Sequence, residues 1–193
     1  MRPAGTGPLY RRRGFGRAGG ALLVAAVLVG LAGCNPFADD PPPCPNVSVL
    51  KQTRLLTLYG DGPGRDDANV GFTLRLRNVA SDCDYDVDDE DGGGVEVTFA
   101  LPIHATRGPA SETDRVSVPY FVAIADPGRQ IVAKEVFSAQ LVFEADDASA
   151  QTVEEIEQWI PLGPGATGAG YETLVGFQLT PAQLEELRRP KEE

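Results

Sequence analysis

Val70-Gly71-Phe72-Thr73-Leu74-Arg75-Leu76-Arg77 is the stretch that decides the fold. Val70, Phe72, Leu74 and Leu76 take every second position, and Gly71, Thr73, Arg75 and Arg77 fill the gaps. Successive side chains of a strand point to opposite faces, so this alternation predicts a half-buried antiparallel strand with one face on a core and one in water. The same period recurs on both sides of it. Val95, Val97, Phe99 and Leu101 alternate with Glu96, Thr98 and Ala100; Val118, Tyr120, Val122 and Ile124 form a third run, and Tyr171, Thr173, Val175, Phe177 and Leu179 a fourth. Shorter or less regular runs lie at Arg54–Tyr59, Gln130–Phe137 and Gln140–Glu144.

Turn chemistry separates the runs. Gly60-Asp61-Gly62-Pro63-Gly64 precedes the first, Gly92-Gly93-Gly94 the second, and Asp126-Pro127-Gly128 splits two that should form a hairpin. Gly163-Pro164-Gly165 through Gly170 makes a longer connection. About seven strands at this spacing without alternating helices predict an all-β antiparallel β-sandwich, an immunoglobulin-like Greek key, with a closed β-barrel as the alternative. The Cys…Trp…Cys arrangement of antibody domains is missing, because Trp159 lies outside the Cys44–Cys83 interval. Val153-Glu154-Glu155-Ile156-Glu157-Gln158-Trp159-Ile160 fits either a helix face or a strand, and the flanking strand signals with Pro161 favour strand. Thr180-Pro181-Ala182-Gln183 carries an N-cap, a proline in the first helical position and a glutamine in the third. It predicts a short C-terminal helix from Pro181 to about Arg189, with Leu179 and Leu184 as a hydrophobic staple, covering one end of the sandwich.

The first residues have a different organisation. Arg2, Arg11, Arg12, Arg13 and Arg17 precede an apolar stretch from roughly Ala21 to Leu31, and no acidic residue occurs before Cys34. The stretch falls short of the roughly 20 apolar residues that span a bilayer, so a cleaved leader is favoured over an uncleaved signal anchor. Leu31-Ala32-Gly33-Cys34 resembles the lipobox of bacterial lipoproteins. The resemblance implies a signal peptide over residues 1–33, acylation of Cys34, and anchorage by acyl chains worth about 0.8 kcal/mol per buried CH₂. Asn35 rather than Asp after the cysteine implies the outer membrane, on its periplasmic face. Residues 34–43, with Pro41-Pro42-Pro43, read as a semi-rigid tether, and 44–193 as a single periplasmic domain.

With Cys34 assigned to lipid, Cys44 and Cys83 remain. In an exported chain this pair reads as a disulfide, and its spacing is not that of a CxxC redox or zinc motif. Of 17 basic and 28 acidic residues, the five leader charges are all basic, leaving 12 against 28 and a net charge near −16. Such a surface repels phosphate backbones, so nucleic acid is excluded as a partner.

The acidic run Asp82-Cys83-Asp84-Tyr85-Asp86-Val87-Asp88-Asp89-Glu90-Asp91 is the conspicuous constellation. An EF-hand loop requires glycine at position six and glutamate at position twelve. Counting from Asp82, Asp84 or Asp86 puts Val87, Asp89 or Asp91 at the first and Gly93, Val95 or Val97 at the second, so no register fits. The favoured reading is a solvated acidic loop beside the disulfide; calcium binding through Asp84, Asp86 and Asp88 is the alternative. His104 is the only histidine, which excludes histidine-rich zinc sites and Cys–His catalysis. A hydrolase built on His104 with Ser111, Ser117 or Ser138 would need a triad, and no nucleophile-elbow pattern surrounds any of these serines. His104 reads instead as a strand-end residue. No Walker or Rossmann loop is present, and no cofactor is expected.

Arg107-Gly108-Pro109 and Val175-Gly176-Phe177-Gln178-Leu179-Thr180, with Cys44-Pro45 and Lys134, resemble a family of small envelope lipoproteins of alphaproteobacteria. That resemblance implies envelope location and assigns no activity. The residues themselves read Gly108-Pro109 as a turn and Gly176 as a bulge or a close backbone approach. Arg107 and Lys134 are candidate exposed contacts, with ordinary surface salt-bridging the favoured role for both. The functional expectation is a lipid-anchored, non-enzymatic module that engages an envelope protein or polymer through loops or an exposed sheet edge.

Overall fold

Among the described residues the chain forms nine strands and one short α-helix. The computed structural model describes residues 42–62, 64–88 and 92–188. The strands are β1 (Asn46–Val49), β2 (Leu55–Tyr59), β3 (Val70–Leu76), β4 (Ala80–Asp88), β5 (Gly92–Arg107), β6 (Arg115–Ala125), β7 (Ile131–Val142), β8 (Ser149–Leu162) and β9 (Glu172–Phe177), followed by α1 (Pro181–Arg188). They form two sheets. The first runs β1-β9-β6-β7, and the second runs β2-β3-β5-β4 with β8 also paired to β5. The architecture is an open sandwich, so the barrel alternative is set aside.

The long strand β5 organises the second sheet. β3 pairs with its C-terminal part, from Phe72↔Arg107 to Leu76↔Ile103, and β4 with its N-terminal part, from Ala80↔Ala100 to Asp88↔Gly92. β3 and β4 therefore lie end to end along one side of β5, while β8 lines the other from Thr106↔Ser149 to Gly93↔Leu162. The chain then alternates between sheets. β5 pairs β8 in one sheet and β6 pairs β9 in the other, with β7 beyond β6. This is the Greek-key pairing of strands B with E and C with F in an immunoglobulin sandwich, β7 taking the place of C′. β1, parallel to β9, closes the remaining side of the first sheet.

The predicted alternation sets the core. Leu74, Leu76, Val95, Val97, Leu101, Val118, Leu141 and Phe177 are fully enclosed between the sheets. Each such side chain contributes about 1.5–3 kcal/mol relative to an exposed one. Tyr120 sits among them, stacked on Phe137 at 5.4 Å. Its hydroxyl donates to Glu154 Oε2 at 3.3 Å, and burial, reinforced by that carboxylate, holds the phenol well above its ordinary range. The ambiguous 153–160 segment is strand, within β8.

Several expectations are corrected. The acidic run is not a loop: residues 82–88 belong to β4, with exposed Asp82, Asp84 and Asp86 alternating with partly buried Cys83 and Tyr85. Aspartate is a poor strand former, but pairing with β5 and burial of the intervening side chains override that preference. The runs at 130–137 and 140–144 merge into the single strand β7, because Ser138 and Ala139 remain in register with Pro119 and Val118. β1 extends the strand count, its Val47 and Val49 packing on the core. The capping box is formed: Gln183 Oε1 accepts from Thr180 N at 2.8 Å, and Thr180 Oγ1 accepts from Gln183 N at 3.3 Å. Yet Leu184 and Leu187 are 36% and 52% exposed, so α1 adds little to the core. With Thr180, Ala182 and Gln183 its first turn walls an open cleft of about 440 Å³ against Leu58, Tyr59, Gly60 and Arg65.

Candidate binding surfaces

The entrance to the domain is firmly built. Cys44 and Cys83 are joined, with a Cα–Cα distance of 5.7 Å, which ties the segment entering β1 to β4 of the other sheet. Tyr85, two residues on, donates its hydroxyl proton to Pro43 O at 2.8 Å and accepts from Gly168 N at 3.0 Å. Gly168 is buried here, where a Cβ would stand 2.8 Å from the Tyr85 hydroxyl and 2.9 Å from Pro45 Cγ. Nothing in the sequence singles out Tyr85, because a lone tyrosine inside an acidic run carries no periodic signal of its own. Cys34, the leader 1–33 and the tether up to Pro41 lie outside the described residues.

The remaining candidate residues are not brought together. His104 is not at a strand end; it lies within β5, opposite Arg75 on β3 and Gln151 on β8. Its neighbours Ile103 and Ala105 face the core, so His104 is on the outer face of the second sheet. Ser117 and Ser138 hydrogen-bond to each other at 2.9 Å, exposed on the first sheet alongside core-facing Val116, Val118 and Ala139. They therefore lie on the opposite outer surface of the sandwich. Ser111 bonds Thr113 O at 3.4 Å in the turn after β5. Ser117 and Ser138 are thus not brought together with His104. Asp84 and Asp86 project from the same side of β4 at a spacing of about 6.6 Å, too far apart to chelate one ion as neighbours. Among the described residues no group of three or more His, Cys, Asp or Glu side chains is arranged to hold a metal. The Asp88 side chain and residues 89–91 lie outside them.

Arg107 is an internal fastener rather than an exposed contact. Its guanidinium donates to Asp147 O at 3.0 Å, Thr113 O at 2.9 Å and Asp114 Oδ1 at 2.8 Å, and it lies 4.5 Å over the Phe143 ring. One side chain thus joins the connections that cross between sheets before β6 and after β7. The adjoining Gly108-Pro109 is the expected turn, with Ser111 N donating to Gly108 O at 3.2 Å. Lys134 donates to Gln178 Oε1 at 2.9 Å and covers the Phe121 ring at 4.5 Å. Gly176 is a close approach: a Cβ there would collide with Thr53 Oγ1.

The most open surface is the free edge of the first sheet. Among the described residues β7 pairs only with β6, with a register shift at Ile124/Ala125, and residues 131–136 are all exposed. Ile131, Val132 and Val136 are 54%, 58% and 52% exposed. The sequence marks the strand but not its position at an edge, since β-branched residues are equally at home in a central strand. No helix among the described residues is long and apolar enough to cross a membrane. No protein-family model, curated protein or solved structure matches the chain.

Proposed function

We propose that the chain is an exported, Cys34-lipidated protein of the bacterial outer membrane. Its periplasmic β-sandwich acts without catalysis, by adding an extended segment of another envelope protein to the free edge of β7. The observation that carries this reading is the run of exposed residues 131–136, with three branched aliphatic side chains more than half exposed beside unpaired strand backbone. Long apolar edges template strand addition, and natural domains ordinarily guard them. An added strand takes its affinity from main-chain hydrogen bonds and its specificity from alternate side chains. Here those side chains would meet Val136 and, beyond the register shift at Ile124/Ala125, Val132 and Ile131.

The test places a photo-crosslinking residue in turn at 132, 136 and, for comparison, Thr57 of β2, in cells carrying the full chain. A discrete adduct from 132 and 136, absent from 57 and abolished by Val132→Lys with Val136→Lys at an unchanged melting temperature, supports the reading. Equal adducts from all three positions, or none, refute it. The anchor is tested separately: Cys34→Ala should abolish metabolic labelling with palmitate.

A further inference from the structure

The outer face of the β4-β5-β8 half of the second sheet presents a second surface. Strand register places Asp82, Asp84 and Asp86 of β4 beside Thr98, Glu96 and Gly94 of β5, which in turn adjoin Glu157, Trp159 and Pro161 of β8. This block contains five carboxylates and no lysine or arginine. Arg75 and Arg77 lie on the other half of the sheet, near His104 and Pro102.

Trp159 is the centre of the block. Its six-membered ring lies so closely over Gly94 that a Cβ there would overlap Cζ2, Cε2 and Cη2. The missing side chain of Gly94 makes room for the ring, and the indole stays 50% exposed. An open indole face attracts cations through its quadrupole, and flanking carboxylates strengthen that attraction. Glu157 also favours the protonated form of Glu96, by accepting a hydrogen bond from it and by its own charge; with desolvation and the Asp84 charge, this holds the Glu96 carboxyl above its usual range. Like charges pressed together across strands oppose folding, and a bound cation would relieve them.

Spacing sharpens the match. Asp82, Asp84 and Asp86 repeat about every 6.6 Å, the same repeat as alternate side chains of an extended peptide. We propose that this face docks an extended segment of another polypeptide with lysine or arginine at every second residue, one cation between the Trp159 ring and Asp86, the next against Asp84 and Glu96, and the third against Asp82 and Glu157.

Trp159 is the sole tryptophan of the chain, so its emission reports this face alone. The full chain in non-ionic detergent at low salt is titrated with acetyl-Lys-Ser-Lys-Ser-Lys-Ser-amide and with the isomer acetyl-Lys-Lys-Lys-Ser-Ser-Ser-amide. The alternating peptide should give a saturable change and bind at least about 3-fold more tightly than the isomer (roughly 0.7 kcal/mol). Asp84→Asn with Asp86→Asn should weaken it about 5- to 10-fold, and Trp159→Leu, followed by calorimetry, about 2- to 5-fold. Glu144→Gln with Asp146→Asn, in the connection after β7, should leave it unchanged. Equal affinity for the two peptides, equal loss from the remote pair, or no saturable change would overturn the proposal. So would a neutral oligosaccharide that saturates the emission change where the peptide does not.

Discussion

Replacing Cys44 and Cys83 together by serine tests how the entrance to the domain is held. The bond spans a sequence separation of 39 and encloses β1, β2, β3 and half of β4. In the chain-entropy account, closing a loop of that length removes roughly 13 cal/mol/K from the unfolded ensemble, or about 4 kcal/mol at 25 °C. Cys44 is exposed and Cys83 only partly buried, so two serines leave no sizeable cavity and the entropic contribution dominates the difference. A domain of this size loses about 2–4 °C of melting temperature per kcal/mol, so the double variant should melt about 8–16 °C lower. Urea unfolding should show the same loss in midpoint, and thermal unfolding of the reduced wild type should coincide with that of the variant. A fall of less than about 3 °C would refute the reasoning. It would mean that Tyr85, through Pro43 and Gly168, already restrains the unfolded or partly folded chain as effectively as the covalent bond.

Three further perturbations test the packing and the charge. Thr173 is completely buried on β9 with no partner for its hydroxyl, so Thr173→Val should raise stability by about 1 kcal/mol in urea unfolding; a loss would show that the hydroxyl is satisfied. Gly176→Ala should destabilise by about 1–3 kcal/mol through collision with Thr53, and Thr53→Ala should recover part of the loss in the double variant. Glu96 has its carboxyl held above the ordinary 4.5, so the folded chain binds that proton more tightly than the unfolded one and the repulsion costs stability above the raised value. Glu96→Gln should therefore raise the melting temperature at pH 7, and the gap should close as the pH falls towards 4.5; a pH-independent gap would count against a charge origin.

The alternation of Val70–Leu76 and its counterparts was legible because each strand has one wet face and one dry one. What that pattern lacks is the identity of a strand's neighbours. β4 shows the limit from one side: Asp82, Asp84 and Asp86 obey period two, but aspartate's poor propensity and the flanking acids make the segment resemble a loop until β5 supplies its partner. β7 shows it from the other side. Ile131, Val132 and Val136 suggest burial by composition, and only the sheet order reveals that they stand on an outer strand, each more than half exposed. Trp159 was visible as a residue, but its role depends on Gly94, sixty-five positions earlier, whose missing side chain makes room for the ring. The disulfide needed no such long-range information, because assigning Cys34 to lipid leaves two cysteines and one pairing.

The treatment of the exposed edges argues that β7 differs in kind from the others. β1 and β2 are too short, at four and five residues, to template much pairing. β4 carries a carboxylate at every second position, and β8 carries Glu154, Glu155 and Glu157 along its central stretch. Charges on an edge strand deter pairing with a foreign strand, because the incoming backbone must displace their water. β7 has only Lys134 and Glu135 in its exposed half, and Lys134 is turned onto Phe121 and Gln178 instead of standing free along the edge. The chain's net charge of −11 leaves many carboxylates to distribute, and few of them stand on this edge. In the proposed strand addition, their concentration on β4 and β8, with branched aliphatics left on β7, would direct pairing to one edge.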